Sequence, residues 1–186
     1  MSTWWDRNFK EERFRNYLGG VEADSRVALS KIVSDHKSVL DCACGICLDW
    51  EKYKKEKIKI EYTGIDNCGG LIEEAQERGI NAIVGNIEDL PFEDNSFEIV
   101  TGRHILEHLP GFEKAIEEMY RVAQKEVAII FFLPPTEKEK IGKAENLNNE
   151  VHLNTYSKQK IDNFISKFTG HKWEEVKREV ILRIFK

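Results

Sequence analysis

With 186 residues, 33% of them charged and 41% apolar, the chain suits one globular domain able to bury a core. A net charge of −5 at pH 7 argues against nucleic acid as a partner, since phosphate binding asks for a basic face. No apolar run reaches the ~20 residues that cross a bilayer, and residues 1–10 lack a signal peptide's apolar centre. A cytoplasmic protein with no membrane contact and four reduced cysteines is therefore expected.

Strand and helix signals then alternate, as in a parallel sheet with crossover helices. Residues 21–34 read as a helix with Val21, Ala28, Leu29 and Ile32 on one side. The first strand follows at 38–42. A charged helix at 48–57 comes next, its lysines interleaved with Glu51 and Glu56 as on a solvated face. A strand at 60–66 leads to a short helix marked by Leu71, Ile72 and Ala75, which Gly79 ends with φ > 0. Strands are expected at 80–84 and 97–101. Phe112, Ile116, Met119, Tyr120 and Ala123 recur at helical spacing. The continuous apolar run 127–133 has the character of a central strand covered on both faces. Ser157 is the expected N-cap of a helix carrying Ile161, Phe164, Ile165 and Phe168 and closed by Gly170. Strands at 172–177 and 180–185 are close enough to pair as an antiparallel hairpin.

Residues 134–156 form the long segment without periodicity, and loops beyond ~12–15 residues are usually functional or mobile. This is the expected substrate-facing loop. Trp4, Trp5, Phe9, Phe14 and Tyr17 give residues 1–20 an aromatic side. That pattern suits a surface helix, a lid over a ligand or a self-associating patch. No repeat, low-complexity tract or second core is visible, so residues 1–186 are expected to form a single domain.

The most informative stretch is Val39-Leu40-Asp41-Cys42-Ala43-Cys44-Gly45-Ile46-Cys47. A short strand runs into an acid and a turn of small residues, which brings bare backbone close to a ligand at the carboxyl end of a strand. Tyr62-Thr63-Gly64-Ile65-Asp66 ends a second strand on an acid. Val84-Gly85-Asn86-Ile87-Glu88-Asp89-Leu90-Pro91-Phe92 follows, then Ser96-Phe97-Glu98-Ile99-Val100 and Arg103-His104-Ile105-Leu106-Glu107-His108-Leu109. In this order and spacing, the four motifs resemble the class I S-adenosylmethionine-dependent methyltransferases, in particular the small-molecule type. The resemblance covers about residues 35–133 strongly and the rest by order of elements. It implies a doubly wound, Rossmann-like α/β fold whose seven-stranded sheet is mostly parallel, with the last strand antiparallel.

The resemblance also implies S-adenosyl-L-methionine as cofactor, surrounded by Asp41, Ala43, Cys44, Gly45, Asp66, Asn67, Asn86, Ile87 and Arg103. Small side chains in the first turn let the methionyl part lie on backbone amides, and the next helix aims its N-terminus at the carboxylate. Asp66 has two readings: acceptor for both ribose hydroxyls, or N-cap of the helix beginning near Gly69. Asn86 and Ile87 stand where the family holds adenine. Two positions depart from the family pattern. Asn86 replaces an aspartate but still accepts one hydrogen bond. Cys47 replaces the turn's last glycine, which costs about 1–2 kcal/mol if that position needs a positive φ.

The implied reaction is methyl transfer to an O, N or C nucleophile of a small molecule, for which alignment is the main need. His104, just past the fourth strand, is the candidate general base, and Arg103 is also a candidate for holding an anionic acceptor. His152 and Tyr156, at the end of the 134–156 segment, have two readings: contact with the acceptor or a merely structural role. The alternative is a cofactor-binding pseudoenzyme or regulatory protein without turnover, which Cys47 and Asn86 favour. The missing Gly-x-Gly-x-x-Gly pattern opposes a nicotinamide-dependent dehydrogenase. Thr101-Gly102-Arg103-His104, standing where DNA amino-methyltransferases carry an Asn-Pro-Pro-Tyr-like motif, opposes a base-modifying enzyme. Cys42, Cys44, Cys47 and Cys68 could gather at one sheet edge, but they lack the paired Cys-x₂-Cys knuckles of zinc modules. His104 and His108 lack the His-Glu-x-x-His order. No metal is expected.

Overall fold

A computed structural model describes residues 4–11 and 20–186. Its elements in chain order are α1 (Trp4–Asn8), α2 (Asp24–Val33), β1 (Ser38–Cys42), α3 (Leu48–Lys55), β2 (Glu61–Asp66), α4 (Gly69–Glu77) and β3 (Ala82–Val84). They continue with β4 (Phe97–Arg103), α5 (Glu113–Val122), β5 (Ala123–Phe131), α6 (Lys158–Ile165), β6 (Gly170–Val176) and β7 (Glu179–Phe185). The strands form one seven-stranded sheet in the order β3-β2-β1-β4-β5-β7-β6. Strands β1 to β5 run parallel, and β7 lies antiparallel between β5 and β6. The chain leaves β1 toward one edge and restarts at β4 toward the other. That reversal opens a crevice at the carboxyl ends of β1 and β4, where such sheets take their ligands.

The strand sequences serve two faces at once. In β5, Val127, Ile129 and Phe131 enter one core while Ala128 and Ile130 enter the other, the period of two made visible. Ala115, Ile116, Met119 and Val122 of α5, with Ile161 and Ile165 of α6, cover the first face. Leu29, Ile32 and Val33 of α2, Tyr53 of α3 and Ile72 and Ala75 of α4 cover the second.

Several boundaries differ from the periodic reading, each for a local reason. Helix α4 ends as expected at Gly79 (φ +74), but the Ile80 amide is spent on the Ala75 carbonyl, so β3 starts only at Ala82. Ala123 opens β5 rather than closing α5. At the far end, the Phe132 and Leu133 amides turn to a side chain, Oε1 of Glu107, so β5 stops at Phe131. Ser157 Oγ accepts the Lys160 amide as the N-cap of α6, yet that helix ends at Ile165 and Gly170 begins β6. Residues 134–156 are tied down by the Lys140–Thr155 and Lys143–His152 bridges. In the N-terminal segment, Phe9 packs where a Cβ on Gly70 would stand. Phe14 and Tyr17 lie outside the described residues, as does most of the expected helix over 1–20.

Candidate active site

The turn after β1 is built from alternating left-handed residues. Ala43 (φ +58), Gly45 (φ +55) and Cys47 (φ +60) all occupy that region, and only Gly45 does so without a steric cost. The turn is clamped to β2. The Cys44 amide donates to the Ile65 carbonyl at 3.1 Å and the Gly45 amide to Asp66 Oδ2 at 2.9 Å. Gly64 has to be bare, since a Cβ there would sit 2.7 Å from Cys44 Sγ. Beneath the turn, the buried Tyr62 hydroxyl donates to Asp41 Oδ2 at 2.7 Å.

Asp66 also accepts the Cys68 amide on Oδ1 at 2.9 Å, so both oxygens are oriented before any ligand arrives. Burial raises its pKa, while the Cys68 and Gly45 amides pull it back. Cys68, not Asp66, is the N-cap of α4, so the capping reading is corrected: Asp66 ties down the segment before the helix through the Cys68 amide and keeps a lone pair on each oxygen. Beyond β3, Asn86 Oδ1 accepts the Glu88 amide at 3.0 Å, which fixes the side chain at the cavity wall beside buried Ile87.

Charged groups converge at the end of β4. Arg26 of α2 pairs with Asp49 of α3 at 3.0 Å, both nearly sealed from solvent. Arg103 Nε donates to Ser25 Oγ at 3.3 Å. His104 has φ +56, an uncommon conformation for a residue with a Cβ, and its amide donates to the Ile130 carbonyl at 2.9 Å. Its ring stands 5.2 Å from that of Phe132, and His108 packs 5.4 Å away on the same phenyl. His108 Nδ1 donates to the His152 carbonyl at 2.8 Å, and Trp5 meets His108 edge-on at 5.4 Å. Burial depresses both imidazoles below their ordinary range, so both are neutral at pH 7.

These walls enclose a cavity of about 510 Å³, within the usual range for a small-molecule site. Every expected cofactor residue except Asp41 borders it, as does His104. Asp41 sits one layer below, holding Tyr62. His152 and Tyr156 are not on the wall. The Tyr156 hydroxyl donates to the Leu106 carbonyl at 2.9 Å inside the core, so the substrate-contact reading of Tyr156 is corrected to a structural one. His152 contributes its carbonyl to His108 rather than its ring to the cavity. From the 134–156 segment it is Ala144, Asn146, Leu147 and Leu153 that reach the wall.

Arg26, Asp49 and His108 line the cavity without having been singled out as ligand contacts, and Glu107 and Glu179 support the wall from behind. Arg26 stands three residues before Leu29 and so shares its face of α2, the one signal the sequence offers for it. The cysteines separate into three cores: Cys42 in one, Cys44 and Cys47 in the second, Cys68 in the third. Among the described residues no group of three or more histidines, cysteines or acids could hold a metal ion. No helix among them is long and apolar enough to cross a membrane.

A tight turn after β1, an acid at the tip of β2 and a cavity at the sheet's switch point define a doubly wound α/β fold with a small-molecule site at the carboxyl ends of its strands. Residues 40–131 match the family described as Methyltransferase domain. Demethylmenaquinone methyltransferase of Listeria welshimeri is 36% identical over 94 residues, covering 46% of this chain and 39% of that protein. The chain thus spans about two fifths of the length of the first such relatives. Probable tRNA methyltransferase 9B of Mus musculus is 34% identical over 112 residues, covering 57% of this chain and 24% of that one. A Thermotoga maritima structure described as an S-adenosylmethionine-dependent methyltransferase, possible histamine N-methyltransferase, superposes with a TM-score of 0.68. It is 17% identical, with 98% of each chain covered. Over residues 40–131 the chain matches that methyltransferase domain, and together these relatives and neighbours support a class I S-adenosylmethionine-dependent methyltransferase.

The residues present fit the cofactor that this family uses. Asp66 offers part-buried, oriented acceptor oxygens for a ribose diol, Gly45 leaves room at the turn, and Ile87 offers an apolar surface beside Asn86 for a base. Arg26, paired with Asp49, and Arg103 also border the cavity.

Proposed function

We propose that this chain transfers the methyl group of S-adenosylmethionine to an O, N or C nucleophile on a small, largely apolar acceptor. One observation carries the reading. The same cavity has a polar, backbone-lined half at Asp66 and Asn86 and an aromatic half made by Trp5, His104, His108 and Phe132. When bound, the cofactor supplies a methyl already activated by its sulfonium. What remains for the protein is alignment, and holding two reactants at near-attack distance is the largest contribution open to it.

Each group has a part in that alignment. Asp66 would grip the ribose, Asn86 and Ile87 the adenine, and Arg26 with Arg103 the carboxylate. The aromatic half excludes water and stacks an acceptor. His104, neutral at pH 7, can take a proton from it. An acceptor of low pKa would need no base at all. The net charge of −5 and the apolar far wall favour a small molecule over a polynucleotide.

The reading is tested by calorimetric titration with S-adenosylhomocysteine, followed by transfer of labelled methyl to panels of phenols, amines, quinols and total tRNA. Labelling in a small-molecule panel supports it. Binding without transfer to any acceptor returns the pseudoenzyme alternative, and label on tRNA alone replaces the acceptor class.

A further inference from the structure

We propose that Glu179 is the positioning residue for His104: it accepts from Nε2–H, fixes that tautomer and leaves Nδ1 as the proton acceptor facing the bound substrate. This deepens the methyl-transfer reading and rests on it for the role of the base, though not for the geometry of the pair.

Three observations carry it. First, His104 Nε2 stands 3.0 Å from Glu179 Oε1, across from the start of β7. The N–H is off that line, and Nε2 and Glu179 Oε2 are both buried with no straight hydrogen bond. Two buried groups of opposite demand, this close and not yet aligned, need only a small rotation, and catalytic hydrogen bonds are often slack until the ligand is bound. Second, Nδ1 has no protein partner among the described residues and is not among the sealed atoms, while the ring borders the cavity. Third, the His104 backbone is held at φ +56 by the bond from its amide to Ile130. Strain of this kind persists where the surroundings over-determine it and clusters at active sites.

The charges around the pair suit the role. Arg103 of β4 lies 3.9 Å from Glu179 Oε1, and Ser25 of α2 contacts the same carboxylate. Burial works to raise the pKa of Glu179, but His104 and Ser25 outweigh it and keep the group ionised. Toward His104, burial and the cations Arg103 and Arg26 disfavour the imidazolium, and only Glu179 favours it. His108 lies nearby as a second neutral ring. In the reaction, the acceptor's proton moves to Nδ1 and the acceptor's electron pair forms the bond to the methyl carbon. The carbon–sulfur bond breaks with its pair going to sulfur, and the imidazolium later returns its proton to solvent.

The test is an NMR titration of the full chain with ¹⁵N-labelled histidine, in which His104→Ala assigns one of the five imidazoles. In the unsubstituted protein the neutral His104 ring is expected in the Nε2–H form. Glu179→Gln keeps an acceptor oxygen, so the tautomer persists while the titration midpoint falls by about one pH unit. Glu179→Ala mixes the tautomers. A predominantly Nδ1–H ring in the unsubstituted protein, or a midpoint unmoved by Glu179→Gln, overturns the proposal. The unsubstituted titration decides the point even if a variant misfolds. Calorimetry with S-adenosylhomocysteine separates the two readings: loss of that binding in the unsubstituted protein sinks the methyl-transfer reading, whereas the tautomer reports on the pair alone.

Discussion

The Gly45 amide donates to Asp66 Oδ2 at 2.9 Å, so the turn after β1 and the acid ending β2 are one structural unit. The acid that would take the ribose hydroxyls is also what holds the turn against the cofactor. Replacing Asp66 by Ala should therefore weaken S-adenosylhomocysteine binding about 100-fold or more, since hydrogen bonds to a charged group contribute roughly 1.5–3 kcal/mol each. Asp66→Asn keeps an acceptor and should lose about tenfold. Calorimetry measures both, and wild-type affinity in the alanine variant rules out the ribose assignment.

Cys47 carries a Cβ at φ +60 and is fully buried. Its strain of about 1–2 kcal/mol is offset by the packing of its sulfur. Cys47→Gly removes both and should change stability little. Cys47→Ala keeps the strain, loses the sulfur and should be the less stable of the two by about 1 kcal/mol. Urea unfolding of the pair gives the comparison. An alanine variant as stable as the glycine variant means that the left-handed conformation costs nothing.

Glu107 is buried beneath the wall, accepts the Phe132 amide at 2.7 Å on Oε1, and has no partner for Oε2. Burial pushes its carboxyl up to about 7 from 4.5. The folded state thus binds more protons than the unfolded one between those values, and stability falls as pH rises through that window. The loss levels off above the folded pKa, at roughly 3 kcal/mol. Glu107→Gln keeps the acceptor for both amides and never ionises. The variant should gain on the wild type from pH 5 to pH 8, read as the difference in urea midpoints. A constant difference across that range contradicts the buried, protonatable role.

Tyr156→Phe removes the donor to the Leu106 and Leu109 carbonyls, while Tyr156 itself does not border the cavity. It should destabilise the protein by about 1–2 kcal/mol and leave S-adenosylhomocysteine affinity unchanged. A change in affinity with no change in melting temperature restores the ligand-contact reading.

Read alone, the chain determined the parts of the fold that follow from spacing. Alternation of apolar runs and helical periods set the strand order's raw material, and small residues after Leu40 with an acid at 66 marked the ligand end of the sheet. Local chemistry is enough there, because Gly79, Ser157 and the 127–133 run act through their own backbone and immediate neighbours, although the end of that strand at Phe131 is set by Glu107. Tertiary structure decided which side chains share a wall. Glu179 lies 75 residues beyond His104, and only the antiparallel placement of β7 beside β5 brings them within 3.0 Å. Tyr156 looked like a ligand contact in an aperiodic loop, but its direction depends on where that loop folds back, which no local pattern encodes. Burial likewise set the protonation of His104, His108 and Glu107, since desolvation comes from the packed surroundings and not from the residue itself.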